Sequence, residues 1–124
     1  MKSHPLTLLL LWILVLPVQA ANDRPSGVPD EAKWAKVDRV VDGDTVYTKD
    51  GTKIRLHGID TPERDQPYGK QATLALDGLI ETKVYVLEKD TDRYGRLVGV
   101  LYTPEGLNVN LAMVCSGHAW RKHC

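Results

Sequence analysis

The chain has no net charge: sixteen lysines and arginines are matched by sixteen aspartates and glutamates. That excludes a basic coat for nucleic acid and leaves only a local patch to attract a polyanion. No internal repeat and no low-complexity segment is present. Cys115 and Cys124 are the only two cysteines. Neither stands directly after Ala20, which argues against a lipid-anchored form. The one long apolar run, Leu6 to Leu16, falls short of the ~20 residues that a membrane span requires.

That run is expected to be the core of a secretory signal peptide, residues 1–20. Lys2 supplies the positive start, and Val18-Gln19-Ala20 places small residues where a signal peptidase reads. Cleavage after Ala20 would leave one small domain, with no stable membrane association. Residues 21–33 open with the polar, Pro- and Gly-containing ANDRPSGVPD and read as a mobile leader. Residues 34–124 form the domain. Export also permits a disulfide. Gly117 lets the chain turn back, so Cys115 and Cys124 could come within the roughly 7 Å that a bridge needs. Two free thiols are the alternative.

Val37, Val40 and Val41 mark a first strand over residues 34–41. Thr45–Lys49 and Thr52–Ile59 are rich in β-branched and aromatic residues. Asp50-Gly51 between them predicts a type I′ hairpin. On the third strand Ile54 and Leu56 share one face, Arg55 and His57 the other. A turn over Gln66–Gly69 precedes a helix of about three turns, whose stripe is Ala72, Ala75, Leu76, Leu79 and Ile80. Gly78 lies on its polar face. Strands follow over residues 83–89 and 96–102, then a Thr103–Gly106 turn. A short helix closes the pattern, with Asn108 as N-cap, Gly117 as its stop, and Val109, Ala112, Met113 and Ser116 as the inner stripe. Three strands, a helix and two strands predict an α+β chain, an OB-fold five-stranded β-barrel with packed helices.

The chemistry concentrates in VDGDTVYTKDGTKIRLHGIDTPE, residues 41–63. Asp42 and Asp44 flank a glycine at a strand end, and Asp60, Thr61 and Glu63 sit where the third strand stops. Clustered carboxylates with nearby carbonyls are hard oxygen ligands that suit Ca²⁺ or Mg²⁺. The absence of Cys and His among them argues against zinc. Taken singly, these residues are ordinary turn formers. Arg55 and Arg96 are of the type that grips phosphate through a planar fork. Taken singly, each is a solvated surface charge.

Three motifs decide the matter jointly. DGDT, RLHGIDTPE and DRYGR, at their separations in this chain, resemble the staphylococcal nuclease (thermonuclease) family from about Lys36 to Ala119. The resemblance implies an OB-type barrel and calcium-dependent hydrolysis of phosphodiester bonds in DNA and RNA by a monomer. It implies that Asp44 and Asp60 ligate calcium, with Thr61 adding a main-chain carbonyl and Asp42 standing behind them. Glu63 would act on the attacking water, Arg55 and Arg96 would hold the phosphate, and Tyr94 would lie beside the nucleotide. The family continues into a further C-terminal helix, whereas this chain stops at Cys124, so the fold is expected without it. The family's stacking tyrosine after the Gly117 position is replaced by Trp120 and His123. Trp120 either stacks on a base or covers the barrel, the second being favoured. His57 is assigned no role. The alternative from another class is a catalytically silent OB module that binds single strands; the presence of Arg55, Glu63 and Arg96 favours the enzyme.

Overall fold

The computed structural model describes residues 24–121. The expected signal peptide and Cys124 lie outside them, so the Cys115–Cys124 pairing does too; Cys115 itself is exposed. In chain order the elements are β1 (Lys33–Asp42), β2 (Thr45–Thr48), β3 (Lys53–Leu56), β4 (Ile59–Asp60), α1 (Gly69–Leu79), β5 (Lys83–Thr91), β6 (Leu97–Tyr102), α2 (Val109–Cys115) and β7 (Trp120–Arg121). Five of these strands close a barrel in the order β1-β2-β3-β6-β5. β3 and β6 run parallel, and the other barrel pairs are antiparallel. This is the expected OB-type α+β architecture, and closure leaves no unpaired barrel edge.

Strand alternation fills the barrel. Val46, Ile54, Leu56, Val84 and Leu101 point inward and are almost fully buried. Ala72, Leu76 and Ile80 of the α1 stripe and Val109 and Met113 of α2 pack onto the same core. Each of the large side chains gains roughly 1.5–3 kcal/mol from that burial.

A second apolar cluster lies outside the barrel. Tyr85, Val100 and Tyr102 face outward on β5 and β6 and are covered by Val28 and Ala32. The stretch read as a mobile leader is therefore packed over its described part. The Arg24 guanidinium donates to the carbonyls of Pro29 and Ala32, the latter at 2.8 Å. Polar and Pro-rich composition concealed two apolar residues that suffice to dock it.

Three local expectations need correction. The β2–β3 hairpin is not type I′, because among the described residues only Tyr68 and glycines have positive φ, whereas that turn requires it at both central positions. Gly51 N–H instead bonds the Thr48 carbonyl at 3.0 Å, with Gly51 at φ 87°. That is a type I turn with a glycine bulge, its Asp50 carboxylate accepting from the Thr52 amide at 3.0 Å. The third strand also breaks at His57-Gly58, where φ 75° at Gly58 starts β4 anew. On α2, Ser116 is exposed and its place inside is taken by Asn110. The Asn108 cap is as expected, bonding Leu111 N–H at 3.0 Å. The helix ends in a Schellman motif, with Gly117 and His118 amides returning to Val114 and Met113.

Asn110 joins β6 and the residue that follows β3 to α2. Its Oδ1 accepts from Leu101 N–H at 3.1 Å, and its Nδ2 donates to His57 O at 3.0 Å and Gly99 O at 3.1 Å. Gly99 O has a second donor in His57 N–H, so Asn110→Leu strands chiefly Leu101 N–H and His57 O. At ~1–3 kcal/mol per orphaned group, denaturant titration should read a loss of at least ~2 kcal/mol. Gly78 on α1 is exposed with open space around it. Gly78→Ala should gain up to about 1 kcal/mol, seen as a rise in Tm.

Candidate active site

The site is built on the outer wall of the barrel, at the end where β1 passes into β2. Asp42 Oδ1 accepts the Asp44 amide at 3.2 Å, which folds the Asp-Gly-Asp corner. Gly43 is obligatory at that corner: a Cβ there would lie 2.7 Å from Ala72 Cβ and 2.9 Å from Thr61 Oγ1. The corner is thereby pressed against α1 and the end of β4.

Asp44 is 6% exposed. Its carboxylate accepts from Thr45 Oγ1 at 2.9 Å and from the Thr61 amide at 3.2 Å. Arg55 Nη2 lies 3.2 Å from Asp44 Oδ2 and 3.1 Å from Asp60 Oδ1. One nitrogen thus holds both carboxylates, and their oxygens lie no farther apart than those two contacts laid end to end. Burial pushes the Asp44 carboxyl above its ordinary range, and the Asp42 carboxylate beside it pushes the same way; Arg55 offsets only part of this.

Thr61 is buried, and its Oγ1 has no hydrogen-bond partner among the described residues. An orphaned buried oxygen and a carboxylate short of positive charge, in one place, fit an added hard cation. Among the described residues, no three His, Cys, Asp or Glu side chains converge into a ready cage. The available donors are therefore the two carboxylates, main-chain oxygen and water.

Arg55, Tyr94 and Arg96 line one open pocket of about 580 Å³, together with His57, Asp92 and Val98. Tyr94 is 69% exposed, and the Arg93 and Arg96 guanidiniums sit 5.0 and 5.5 Å from its ring centre. Glu63 is placed apart from these. It is exposed and lines a separate recess with Val41, Asp42, Arg64 and Asp65. Its amide donates to Gln66 Oε1 at 2.8 Å. Gly69 lets this loop close on α1, since a Cβ there would meet Glu63 O at 1.7 Å. Trp120 does not cover the barrel as favoured: it is 53% exposed. Its backbone pairs with Asp60 in the small β4–β7 ribbon, so the two side chains share a face.

Asp92 opens the DRYGR motif but is given no role by the sequence, and in the structure it organises Arg96. Its Oδ1 accepts the amides of Tyr94 at 3.0 Å and Arg96 at 2.9 Å, and its Oδ2 accepts Arg96 Nε at 2.7 Å. The Asp–x–x–x–Arg spacing across a Tyr-Gly turn was the available signal. Desolvation raises the Asp92 carboxyl, but the bonds from Arg96 and Tyr94 outweigh it and hold it below the usual range. The folded value is depressed, so this anchorage is present above the unfolded value and is lost as pH falls through the folded one. The Arg96 Nε–H should exchange more slowly than a free guanidinium at the same pH, a protection lost only in acid below the ordinary Asp range. In Asp92→Asn it should exchange fast at neutral pH.

The family model described as "Staphylococcal nuclease homologue" matches residues 53–124. A protein of Escherichia coli O157:H7 named "Uncharacterized endonuclease" is 46% identical over 116 residues, 90% of this chain and 69% of that one. That span takes in the Asp42–Glu63 stretch that the family model reaches only in part. A Shigella flexneri protein named "Micrococcal nuclease" is 38% identical over 103 residues, 70% of this chain and 59% of that one. A Haemophilus influenzae "Uncharacterized endonuclease" is 36% identical over 118 residues, 91% of this chain and 62% of that one. With the barrel, the carboxylate corner and the arginine pocket in place, the chain belongs to the staphylococcal nuclease family.

Proposed function

We propose that this chain is an exported, calcium-dependent nuclease that hydrolyses phosphodiester bonds of DNA and RNA with little sequence specificity. The observation that carries this is Arg55 Nη2 joining Asp44 and Asp60 at the rim of the pocket that also holds Arg96. Family membership and the names of the relatives support the hydrolase reading. The N-terminal apolar run supports export.

A phosphodiester is an anion, and attack places further charge on its oxygens. The Arg55 and Arg96 guanidiniums stabilise that charge, usually the largest catalytic effect. Asp44, Asp60 and the Thr61 carbonyl would hold calcium, which supplies an electrophile for the phosphate oxygens and acidifies a bound water. Glu63 takes a proton from the attacking water as its oxygen bonds phosphorus. One ester P–O bond breaks, and the leaving oxygen is protonated from solvent. Glu63 is exposed in a loop outside the arginine pocket, so this role requires the loop to bring it to the water when substrate binds. Tyr94 and Trp120, both exposed, would flank the nucleotide.

Calcium should be required and magnesium should not replace it, because two carboxylates, a carbonyl and waters make a loose site that suits the larger ion. On single-stranded DNA at saturating calcium, Glu63→Gln should bind normally and turn over at least ~10²-fold more slowly. Arg96→Lys keeps the charge but loses the fork, and should also lose a large factor in turnover. If both variants fold by circular dichroism and cleave at the wild-type rate, the catalytic site lies elsewhere; a wild type that binds single strands without cutting them is instead the strand-binding module.

Proton and calcium should compete for Asp44. Its folded pKa is raised, so in the metal-free chain its contribution to stability is present below the unfolded value and lost as pH rises through the folded one. Calcium at a hundredfold excess over its Kd should stabilise by about 2.7 kcal/mol near neutrality. The resulting rise in Tm should shrink as pH is lowered toward the carboxylate range, and at a higher pH than for a site of ordinary aspartates. It should vanish in Asp44→Asn.

A further inference from the structure

The outer wall of the barrel carries a second row of residues beside the catalytic one. In register, Arg39 on β1 stands opposite Tyr47 on β2, and Tyr47 stands opposite Lys53 on β3. Val46 and Ile54, the neighbours in the next row, point into the core, so Arg39, Tyr47 and Lys53 point out. Lys53 precedes Arg55 by two residues on the same face. Arg96 precedes Leu97, which pairs with Ile54, and the parallel register therefore brings Arg96 alongside Lys53. The row Arg39–Tyr47–Lys53–Arg96 crosses four neighbouring barrel strands, about 14 Å at the usual strand spacing of ~4.8 Å. It ends in the pocket wall.

Two cations in this row are held by an aromatic ring. Arg39 Cζ is 4.3 Å and Lys53 Nζ 5.5 Å from the Tyr47 ring centre, within cation–π reach. A ring orients a cation without cancelling its charge, as a carboxylate would. Among the described residues Lys53 has no carboxylate within ion-pair distance, and Asp38 is shared between Arg39 at 3.3 Å and Lys49 at 3.2 Å. In a chain of zero net charge, an excess of positive charge aligned with the phosphate arginines calls for an anionic ligand.

We propose that Arg39 and Lys53, spaced by Tyr47, form a track for the phosphates of the single strand that flanks the bond held at Arg55 and Arg96. The ligand class rests on the nuclease reading; the track is a separate site from the pocket. It makes affinity depend on strand length, because a dinucleotide fills the pocket alone and a longer strand also meets the row.

The test is binding of fluorescent single-stranded DNA of about thirty nucleotides to the mature chain, with chelator present so that nothing is cut, over a series of salt concentrations. Arg39→Gln with Lys53→Gln should weaken the long strand at least tenfold and lower the salt slope by about 1.4, at ~0.7 per phosphate contact. The Kd of a competing deoxydinucleotide should stay within twofold. Lys83→Gln, on β5 and outside the row, should leave both affinities within twofold. An unchanged slope, an equal loss on the dinucleotide, or an equal loss in Lys83→Gln would each overturn the track. If the double variant fails to fold, Lys53→Gln alone should show half the change in slope. Cleavage with calcium, run on the same proteins, separates the two readings. A wild type that binds with this signature yet does not cut keeps the track and refutes the nuclease. One that cuts but binds without regard to Arg39 and Lys53 does the reverse.

Discussion

Everything at the site depends on one guanidinium shared between two carboxylates. Asp44 comes from the corner after β1 and Asp60 from the end of β4, so Arg55 joins two segments that no other described ion pair joins. Asp44 is buried and crowded by Asp42. Such a group is costly to ionise, and the contact with Arg55 offsets only part of that cost. A buried pair of this kind adds little net stability over an apolar substitute, but removing one partner leaves an uncompensated charge. Its value here is positional: it holds two anions close together at the mouth of a pocket lined by a second arginine.

Glycine makes that geometry possible at two places, neither of which involves positive φ. Gly43 admits the Ala72 and Thr61 side chains, and Gly69 admits the Glu63 carbonyl. The helix α1 therefore serves both core and site. Its inner stripe seals one side of the barrel, while Ala72 presses the carboxylate corner into place. Tyr68, just before α1, sits at φ 64° with its ring exposed. A tyrosine in that conformation is strained, at the point where the loop from Glu63 enters the helix.

The barrel was legible because its strands alternate and its α1 stripe repeats at helical spacing, and both signals are local. The residues that the sequence did not single out act at a distance or through the backbone. Asn110 reads as a polar residue in a short helix, yet it is buried and serves the main chain of β6 and the end of β3. The docking of residues 24–32 depends on an outward apolar patch, Tyr85, Val100 and Tyr102, that alternation alone would assign to solvent. The hairpin was misread because Asp-Gly satisfies two turn types, and the choice is made by loop length, three residues here instead of two. At the site, residue types and motif spacing picked out Arg55, Asp44 and Asp60, which the fold joins by contact. They could not place Glu63, whose position follows from the loop that closes on Gly69.

Arg55 and Arg96 are chemically alike but stand in different physical situations. Arg55 is only 14% exposed on its side chain and is engaged by two carboxylates before any substrate arrives. Replacing it perturbs the carboxylate corner and the pocket wall together, so a loss of the proposed activity there would have two causes. Arg96 is anchored by Asp92 alone, within a turn that is otherwise exposed. Its loss leaves the buried carboxylates with their partner. Arg96 and its anchor Asp92 would therefore report on the proposed phosphate chemistry with little contribution from stability. Arg55 reports on how far the site's electrostatics and the barrel's integrity are the same thing.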